Sequence, residues 1–294
     1  MHISVMPQEV MSLLNVEPGC VVVDGTVGMA GHSALIAQQL GKAGHLICVD
    51  KDSFSLTEAK RRLGNFALRI DLLQGSFGDV SRFLAEVKVK QIDRVLLDLG
   101  ISSFQLDNPQ RGFSFQKEGP LDMRMDQSQG PTAADLINTL QEEELSRIIY
   151  EYGEDRFARR IAKSIVWRRS QEKILTTTQL AKAVLGALPA NYSRNRIHPA
   201  TRTFQALRIM VNKELDILSI ALKAWFEVLK PSGRMCVISF HSLEDRIVKH
   251  TFKDLVSEGQ GIILTKKPIE SSEDECQVNT RSRSAKLRGI ERSA

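Results

Sequence analysis

The stretch that decides the fold reads Val-Val-Val-Asp-Gly-Thr-Val-Gly-Met-Ala-Gly, residues 21–31. An apolar run of strand type ends there at Asp24 and passes into small residues, which let a backbone turn sharply and approach a ligand closely. Two later apolar runs end in the same way, at Asp50 and at Asp98. Because the carboxyl ends of parallel strands share one edge of a sheet, and ligands of doubly wound folds bind at that edge, we predict a ligand cleft lined by these three acids.

Strand and helix patterns alternate over the first hundred residues. Strand patterns occupy four segments, separated by apolar residues at helical spacing, at 21–24, 45–50, 70–74 and 93–98. Alternation of this kind is typical of a parallel, doubly wound α/β sheet. We therefore predict an α/β core of Rossmann-like topology.

The alternation stops after Asp98, and the next buried strand pattern, at 234–240, follows well over a hundred residues later. A βαβ crossover needs only about 30 residues, so most of the segment is surplus to the sheet. The segment carries several helical apolar stripes, and Thr139 with Glu142 has the spacing of a capping box that would open one helix. We expect an inserted all-helical domain. The expected bounds are 1–106 for the first part of the core, 107–206 for the insert, and 207–294 for the second part with a basic tail.

Beyond the insert, sheet and helix patterns return. Leu-Lys-Pro-Ser-Gly-Arg at 229–234 predicts a turn into the fifth strand, and a helix is expected over 242–256. A short strand is expected near 262–265, and a polar, acidic loop at 270–276.

Charge is distributed unevenly along this chain of 294 residues, whose formal net charge is +5. Seven basic residues between 156 and 173 accompany a single acid, and segment 281–292 holds five basic residues and one acid. Such runs are usually solvated faces. Two of them in a chain with a predicted ligand cleft favour a polyanionic partner, RNA above all.

The cysteines predict neither metal nor disulfide chemistry. The 4 cysteines are scattered without a C-x-x-C pair, so we expect no disulfide framework and no metal site. The N-terminus lacks a basic segment followed by an apolar one, and no apolar stretch approaches the ~18 residues of a membrane span. We expect a cytoplasmic protein with no membrane partner.

The predicted cleft suits a nucleoside cofactor. Gly28 lies in the loop after the first strand, and Asp50 is placed to accept both hydroxyls of a ribose. The glycines do not follow G-x-G-x-x-G, which weakens the case for a dinucleotide-phosphate site. These features alone leave a nicotinamide dehydrogenase and a methyltransferase as alternatives. The turn at 229–234 favours the methyltransferase, because that class often has such a turn before its fifth strand.

Several long motifs carry a more specific resemblance. They are LDLGISSFQLD at 97–107, RGFSF at 111–115, GPLDMRMD at 119–126, HPATRTFQALR at 198–208, SFHSLEDR at 239–246 and RSAKLR at 283–288. Together they resemble the bacterial small-subunit ribosomal RNA methyltransferase H family, and the similarity runs from His2 to the basic tail.

The resemblance implies a class I methyltransferase core that uses S-adenosyl-L-methionine. The implied reaction is methylation of the N4 amine of a cytidine in the decoding region of 16S rRNA, within the 30S ribosomal subunit. The resemblance implies no DNA substrate, and it leaves open whether the protein forms a homodimer. Besides Gly28, the implied cofactor contacts are Ala30, Gly31, His32, Asp50, Phe77, Asp98 and Gln105. Two positions depart from the family pattern. The loop usually reads Gly-Gly-Gly-His where this chain has Met29-Ala30-Gly31-His32, and a proline is usual where Phe104 stands.

The residues themselves favour direct transfer to an amine. Methylation at cytosine C5 needs a cysteine nucleophile, and no cysteine lies directly after the fourth strand, where such a residue could reach the base. An exocyclic amine needs an acceptor that orients it and receives its proton. Asp98 is the candidate for that role, or for a contact with the amino group of the cofactor. His241, at the end of the fifth strand, is a second candidate catalytic residue, with a structural role as the alternative.

Candidate RNA contacts lie in the same motifs. The spacing of Phe113 and Phe115 suits stacking on an extracted base, and equally one face of a strand. Four arginines are candidates for phosphate contacts, with salt bridges inside the insert as the alternative: Arg111, Arg124, Arg202 and Arg208.

Two other functions remain open at the level of sequence. One is a class I methyltransferase that acts on a protein, another RNA or a small molecule, although the basic insert argues against a small substrate. The other is a non-catalytic RNA-binding assembly factor, which would bind ribosomal particles without transferring a methyl group.

Overall fold

The computed structural model describes residues 4–189 and 198–294. Within them the chain forms two compact units. One combines the residues up to Gly100 with those from Leu215 onward, and the other runs from Ile101 to Glu214. The second unit is wider than the insert expected at 107–206, because the helix Ala200–Asn212 continues unbroken across the expected boundary.

The first unit is built on an eight-stranded sheet. Its strands are β1 (Val21–Asp24), β2 (His45–Asp50), β3 (Arg69–Gln74), β4 (Ile92–Asp98), β5 (Leu229–Ser239), β6 (Gly261–Ile263), β7 (Ile269–Glu270) and β8 (Lys286–Arg292). The order is β3-β2-β1-β4-β5-β8-β6, and β7 also pairs with β8. The first five strands run parallel, whereas β8 is antiparallel to its neighbours. The predicted doubly wound core is confirmed, and the carboxyl ends of β1, β2 and β4 carry Asp24, Asp50 and Asp98.

Helices connect these strands and form the second unit. They are α1 (Pro7–Leu14), α2 (Gly31–Leu40), α3 (Ser53–Leu63), α4 (Val80–Glu86), α5 (Ser103–Asp107), α6 (Ala133–Thr139), α7 (Glu142–Gly153), α8 (Ala158–Gln171), α9 (Thr177–Ala187), α10 (Ala200–Asn212), α11 (Glu214–Glu227), α12 (Ser242–Ser257) and α13 (Glu273–Val278). None of the described helices is both long and apolar enough to cross a bilayer.

The parallel strands are buried on both faces. Along β1, Val22 packs with residues of α1, α2 and α3, whereas Val23 packs on the other side with residues of α4, α11 and α12. A strand that is covered on both sides needs an apolar residue at every position, which explains the unbroken apolar runs in the sequence. The three carboxylates therefore come at the point where each buried strand ends.

The second unit has its own apolar core. Helices α7 to α10 contribute one stripe each, represented by Leu145, Ile161, Leu180 and Phe204. These are the stripes that the helical periodicity predicts, and the expected helices are confirmed.

The helix starts and loops differ in three places from the sequence predictions. The capping box predicted for Thr139 and Glu142 is wrong, because Thr139 ends α6, and Gln141 caps α7 with Glu144 as its reciprocal partner. The turn expected at 229–234 lies inside β5, where Ile92 pairs with Leu229 and Arg94 with Arg234, so that the residues between form a bulge. The loop expected at 270–276 contains the start of α13, which Ser272 caps.

The basic tail is the largest correction. Its charge favoured an RNA partner, with a solvated face as the alternative, but its last residues form β8, which lies between β5 and β6 in the sheet. Arg288 is buried and donates two hydrogen bonds to Asp245 of α12, Nε to Oδ1 at 2.6 Å and Nη2 to Oδ2 at 3.1 Å. The segment is thus a structural part of the first unit, held by a contact between residues far apart in sequence.

Candidate active site

Asp24 is the carboxylate at the end of β1, and it is almost fully buried. Ser33 donates a hydrogen bond from Oγ to Oδ2 at 2.6 Å, and the backbone N–H of Thr26 donates to Oδ1 at 3.2 Å. Burial raises the pKa of Asp24 to about 6, and these two hydrogen bonds partly oppose the rise. The side chain therefore ties the loop to the first turn of α2.

The loop after β1 consists largely of residues with small side chains and lies at the edge of the sheet. Gly28 and Ala30 both have positive φ, 49° and 56°. Any side chain at Gly25 would collide with the sheet, since a Cβ there would lie 2.5 Å from Cδ2 of Leu97. Ala30 is also the N-cap of α2, so the positive end of that helix dipole lies at this loop. The family departure at Ala30 thus retains the left-handed backbone that glycine adopts more easily.

Asp50 ends β2 and faces the same loop. Its Oδ2 accepts a hydrogen bond from the N–H of Gly28 at 2.8 Å, and its Oδ1 accepts one from the N–H of Asp52 at 2.9 Å. Burial raises the pKa of Asp50 to about 6, against the effect of these two bonds. Each carboxylate oxygen keeps a further lone pair for a ligand hydroxyl.

Asp98 ends β4 and is the most perturbed acid of the three. Its backbone N–H donates to Oγ1 of Thr26 at 2.7 Å, and its Oδ2 lies 3.7 Å from Nε2 of the buried His32. Its Oδ1 is covered by protein and accepts no hydrogen bond within 4–189 and 198–294. Burial, with the nearby charge of Asp24, raises the pKa of Asp98 to about 7, although Arg281 opposes the shift. Such a group is half ionised near neutral pH and suits proton transfer.

The other expected cofactor contacts divide between the two units. Gly31, His32 and Phe77 lie in the first unit with the three acids, and Phe77 is partly buried against its core. The backbone carbonyl of Phe77 accepts a hydrogen bond from the indole of Trp225 at 2.8 Å. Gln105 belongs to the second unit, where it is buried in α5.

A capping box restrains Gln105 in this chain, which has Phe104 where a proline is usual in the family. Ser102 Oγ accepts from the N–H of Gln105 at 3.2 Å, and Gln105 Oε1 accepts from the N–H of Ser102 at 3.0 Å. The reciprocal pair restrains the start of α5 where Phe104 replaces a residue of fixed φ.

His241 has a structural role in this geometry. It is the N-cap of α12, and its Nδ1 accepts from the N–H of Glu244 at 3.4 Å, while Nε2 lies 3.1 Å from Oε1 of Glu244. The buried Glu244 in turn accepts from the N–H of Phe240. Both ring nitrogens are engaged, which favours the structural alternative over a proton relay.

The two phenylalanines of the RGFSF motif lie inside the second unit. Phe113 is buried in its core, and this favours a structural role over base stacking. Phe115 packs with its ring centroid 4.5 Å from His198 and 4.8 Å from Phe204.

All four candidate arginines form contacts within the second unit. Arg124 is paired with Asp122 at 2.7 Å and Arg208 with Glu214 at 2.8 Å, while the buried Arg111 donates to the carbonyls of Arg124 and Met125. These contacts are the salt-bridge alternative that the sequence had left open. Arg202 is exposed and donates a hydrogen bond to the carbonyl of Glu154. It is the arginine of the four best placed to contact a phosphate.

Sequence reasoning missed three residues that shape the site. Thr26 and Ser33 hold Asp98 and Asp24, and Glu244 holds His241. Thr26 and Ser33 had a detectable signal, because hydroxyl side chains next to a strand-end acid commonly bond it or its neighbours. Glu244 had the spacing of a capping box with position 241, but histidine is not one of the usual capping residues.

We expect the free energy of unfolding of the ligand-free protein to fall as pH rises from about 4 to about 7. Asp24, Asp50 and Asp98 have folded-state pKa values of about 6, 6 and 7 against an ordinary value of 3.8. The folded state therefore binds more protons in this window, and linkage lowers its stability as pH rises.

Urea unfolding of the wild type and Asp98→Asn near pH 5 and near pH 8 checks this expectation. From pH 5 to pH 8, the free energy of unfolding of the variant should rise on the order of 1–2 kcal/mol relative to that of the wild type. The reason is that the variant has no carboxyl to ionise at position 98. If the wild type and the variant differ in free energy of unfolding by the same amount at both pH values, the raised pKa assigned to Asp98 is contradicted.

Comparison with known proteins places this geometry in a family. The model of the MraW methylase family matches residues 1–293. Ribosomal RNA small subunit methyltransferase H of Syntrophotalea carbinolica is 51% identical over 306 residues, that of Pelobacter propionicus 48% and that of Trichlorobacter lovleyi 47%. Each alignment covers 99% of this chain and 98% of the relative. The resemblance and the class I methyltransferase core expected from it are confirmed, and the chain belongs to the MraW methylase family.

Proposed function

We propose that this protein transfers a methyl group from S-adenosyl-L-methionine to the N4 amine of a cytidine in the decoding region of 16S rRNA, within the 30S subunit. Family membership supports methyl transfer and the cofactor. The names of the curated relatives support RNA of the small ribosomal subunit as substrate. The observation that carries the proposal is Asp98, a half-buried acid at the edge of the sheet whose Oδ1 is covered by protein and whose pKa is raised to about 7.

The residues of the first unit fit the cofactor. S-adenosylmethionine has no phosphate, and this loop has no phosphate-binding glycine pattern but exposes backbone at Gly28. Asp50 offers carboxylate lone pairs for the ribose hydroxyls. The N-terminus of α2 suits the carboxylate of the methionine part, because helix N-termini attract anions.

Asp98 gives the site its chemistry toward an amine. The bound cofactor supplies an electrophilic methyl group. As the new N–C bond forms, the bond between the methyl group and the donor sulfur would break and leave a neutral thioether. The amine nitrogen must lose a proton, and the ionised Asp98 would accept a hydrogen bond from the amine and then that proton. Thr26 holds the backbone of Asp98, and one carboxylate oxygen, Oδ1, is covered by protein. No covalent bond between enzyme and base is needed, in agreement with the absence of a cysteine from the segment directly after β4.

Replacing Asp50 with alanine should weaken cofactor binding by roughly 10- to 100-fold, because it removes the charged acceptor of two ribose hydroxyls. Isothermal titration calorimetry with S-adenosylmethionine and its demethylated product measures the change. Asp254→Ala, an exposed acid on α12, is the matched control and should bind both like the wild type. Unchanged affinity in Asp50→Ala would exclude the assigned ribose contact.

The test of the function is mass mapping of 16S rRNA nucleosides from cells with and without this protein. We expect one N4-methylated cytidine to disappear without it and to return with the wild-type gene but not with Asp98→Asn. Loss of a different modification, or of none, would refute the substrate assignment. Binding to 30S particles without any methyl transfer would instead indicate an assembly factor.

Three further expectations from the sequence stay predictions. They are the cytoplasmic location, the choice between monomer and homodimer, and the role of the second unit in recognising the substrate. Of the four candidate arginines, Arg202 is the exposed one, and it is kept as a candidate RNA contact.

A further inference from the structure

Helix α8 presents a solvent face that carries no acidic side chain. Its exposed residues are Arg159, Arg160, Lys163, Trp167, Ser170 and Gln171. We call the first four of these the basic stripe. Trp167 is 64% exposed, which is unusual for the largest apolar side chain in a soluble unit.

The stripe is held on a rigid support. The opposite side of α8 places Ala158, Ile161, Ala162 and Ile165 in the core of the second unit. Arg160, Lys163 and Trp167 follow one another at helical spacing along the outer side, and they span roughly 10 Å of helix rise. The burial of one side thus fixes the direction in which the other side points.

The positive charges of the stripe have no compensating acid. Within the part of the chain that the structure describes, Arg159, Arg160 and Lys163 form no ion pair, whereas Arg124 and Arg208 of the same unit are paired with Asp122 and Glu214. Among the described residues, the unit therefore neutralises some of its arginines and leaves these three cations without an acidic partner. The guanidinium of Arg160 lies 6.0 Å from the ring centroid of Phe157. Paired charges favour a role in folding, whereas unpaired ones favour an external anion.

We propose that the basic stripe binds the phosphate backbone of the RNA substrate, with Trp167 stacked on an unpaired base beside it. None of these residues belongs to the cofactor site. The inference rests on the proposed function for the identity of the RNA and adds a recognition surface to it.

RNA explains the composition of the stripe better than other partners do. Cations beside a single planar aromatic ring are the combination used for single-stranded nucleic acid, in which the cations follow the backbone and the ring stacks on a base. A helix that binds a membrane surface would need several apolar residues along one exposed face, and α8 exposes only Trp167.

The test is binding to 30S particles from cells that lack this protein. One variant is the triple substitution Arg159→Gln, Arg160→Gln and Lys163→Gln, and its control is Lys223→Gln, Lys249→Gln and Lys253→Gln, which removes the same charge from exposed positions of α11 and α12. Co-sedimentation over a series of salt concentrations gives the dissociation constant and its salt dependence.

We expect the stripe variant to bind at least ~10-fold more weakly near physiological salt, with the slope of log K against log salt reduced by about 2, since three phosphate contacts are lost. The control variant should change the affinity and the salt slope less than the stripe variant does. Trp167→Ala should weaken binding by about tenfold with an unchanged salt slope, and Trp167→Phe should recover most of the loss.

Other outcomes overturn the proposal. Wild-type affinity and slope in the stripe variant would show that α8 is a solvated face. Loss of binding to 30S particles with normal binding to protein-free 16S rRNA would make the partner a ribosomal protein. Calorimetry with S-adenosylmethionine and methyl transfer at saturating 30S particles report the proposed function separately, and both should be retained in the stripe variant.

Discussion

Asp98→Asn lowers the turnover number for methyl transfer by about 10²- to 10⁴-fold, the contribution expected of a positioned general base. Asparagine keeps the size of the side chain and can still orient an amine, but it cannot take a proton. The structure supports this role because Oδ1 of Asp98 is buried without a hydrogen-bond partner among the described residues. Single-turnover transfer of labelled methyl groups to 30S particles measures the rate.

The pH profile separates base catalysis from other roles of Asp98. Its carboxyl has a raised pKa of about 7, so the rate should increase as pH rises through about 7 and then level off. The residual activity of Asp98→Asn should lack that rise. Asp254→Asn, on an exposed turn of α12, should keep both the wild-type rate and its profile.

Calorimetry decides the alternative role of Asp98. If this acid only holds the amino group of the cofactor, Asp98→Asn will weaken S-adenosylmethionine binding and leave the rate at saturating cofactor nearly unchanged. That result would contradict the assignment as proton acceptor. The same substitution should stabilise the ligand-free protein near pH 8, as expected for a site whose buried charge serves activity at the expense of stability.

Arg288→Met destabilises the protein by roughly 3–5 kcal/mol, because it leaves the buried carboxylate of Asp245 without its partner. Asp245 is 9% exposed and Arg288 8%, so water cannot replace the two lost hydrogen bonds. Lys286, 3.8 Å from Asp245, compensates only in part. Urea unfolding followed by circular dichroism gives the free energy of unfolding.

A double-mutant cycle shows whether the pair itself is responsible. Arg288→Met combined with Asp245→Leu should be less destabilising than the sum of the single substitutions, since neither buried charge is then left alone. The exposed pair of Arg61 and Glu58 provides the comparison, and Arg61→Met should cost less than about 1 kcal/mol. Equal losses at Arg61 and Arg288 would contradict a structural role for the tail.

Local sequence patterns predicted the strands of the core closely, because burial on both faces demands unbroken apolar runs. The bounds of β1 and β2 agree with the prediction, and the acids that end them lie at one edge of the sheet. The predictions failed where two polar residues close together in the sequence could each be the N-cap of the same helix. Gln141 rather than Thr139 caps α7, since Thr139 is still part of α6.

The sequence by itself determined the doubly wound core, the sheet edge at which we propose the ligand cleft, and the family, because each depends on short-range periodicity or on contiguous motifs. Only the tertiary structure decided which charged side chains are free to act. Asp245 and Arg288 meet across 43 positions of the chain, Arg208 is neutralised by Glu214, and Lys163 on α8 forms no ion pair with any residue that the structure describes. The physical reason is that the free energy of a charge depends on its burial and on its partners, and both are set by contacts between distant parts of the chain.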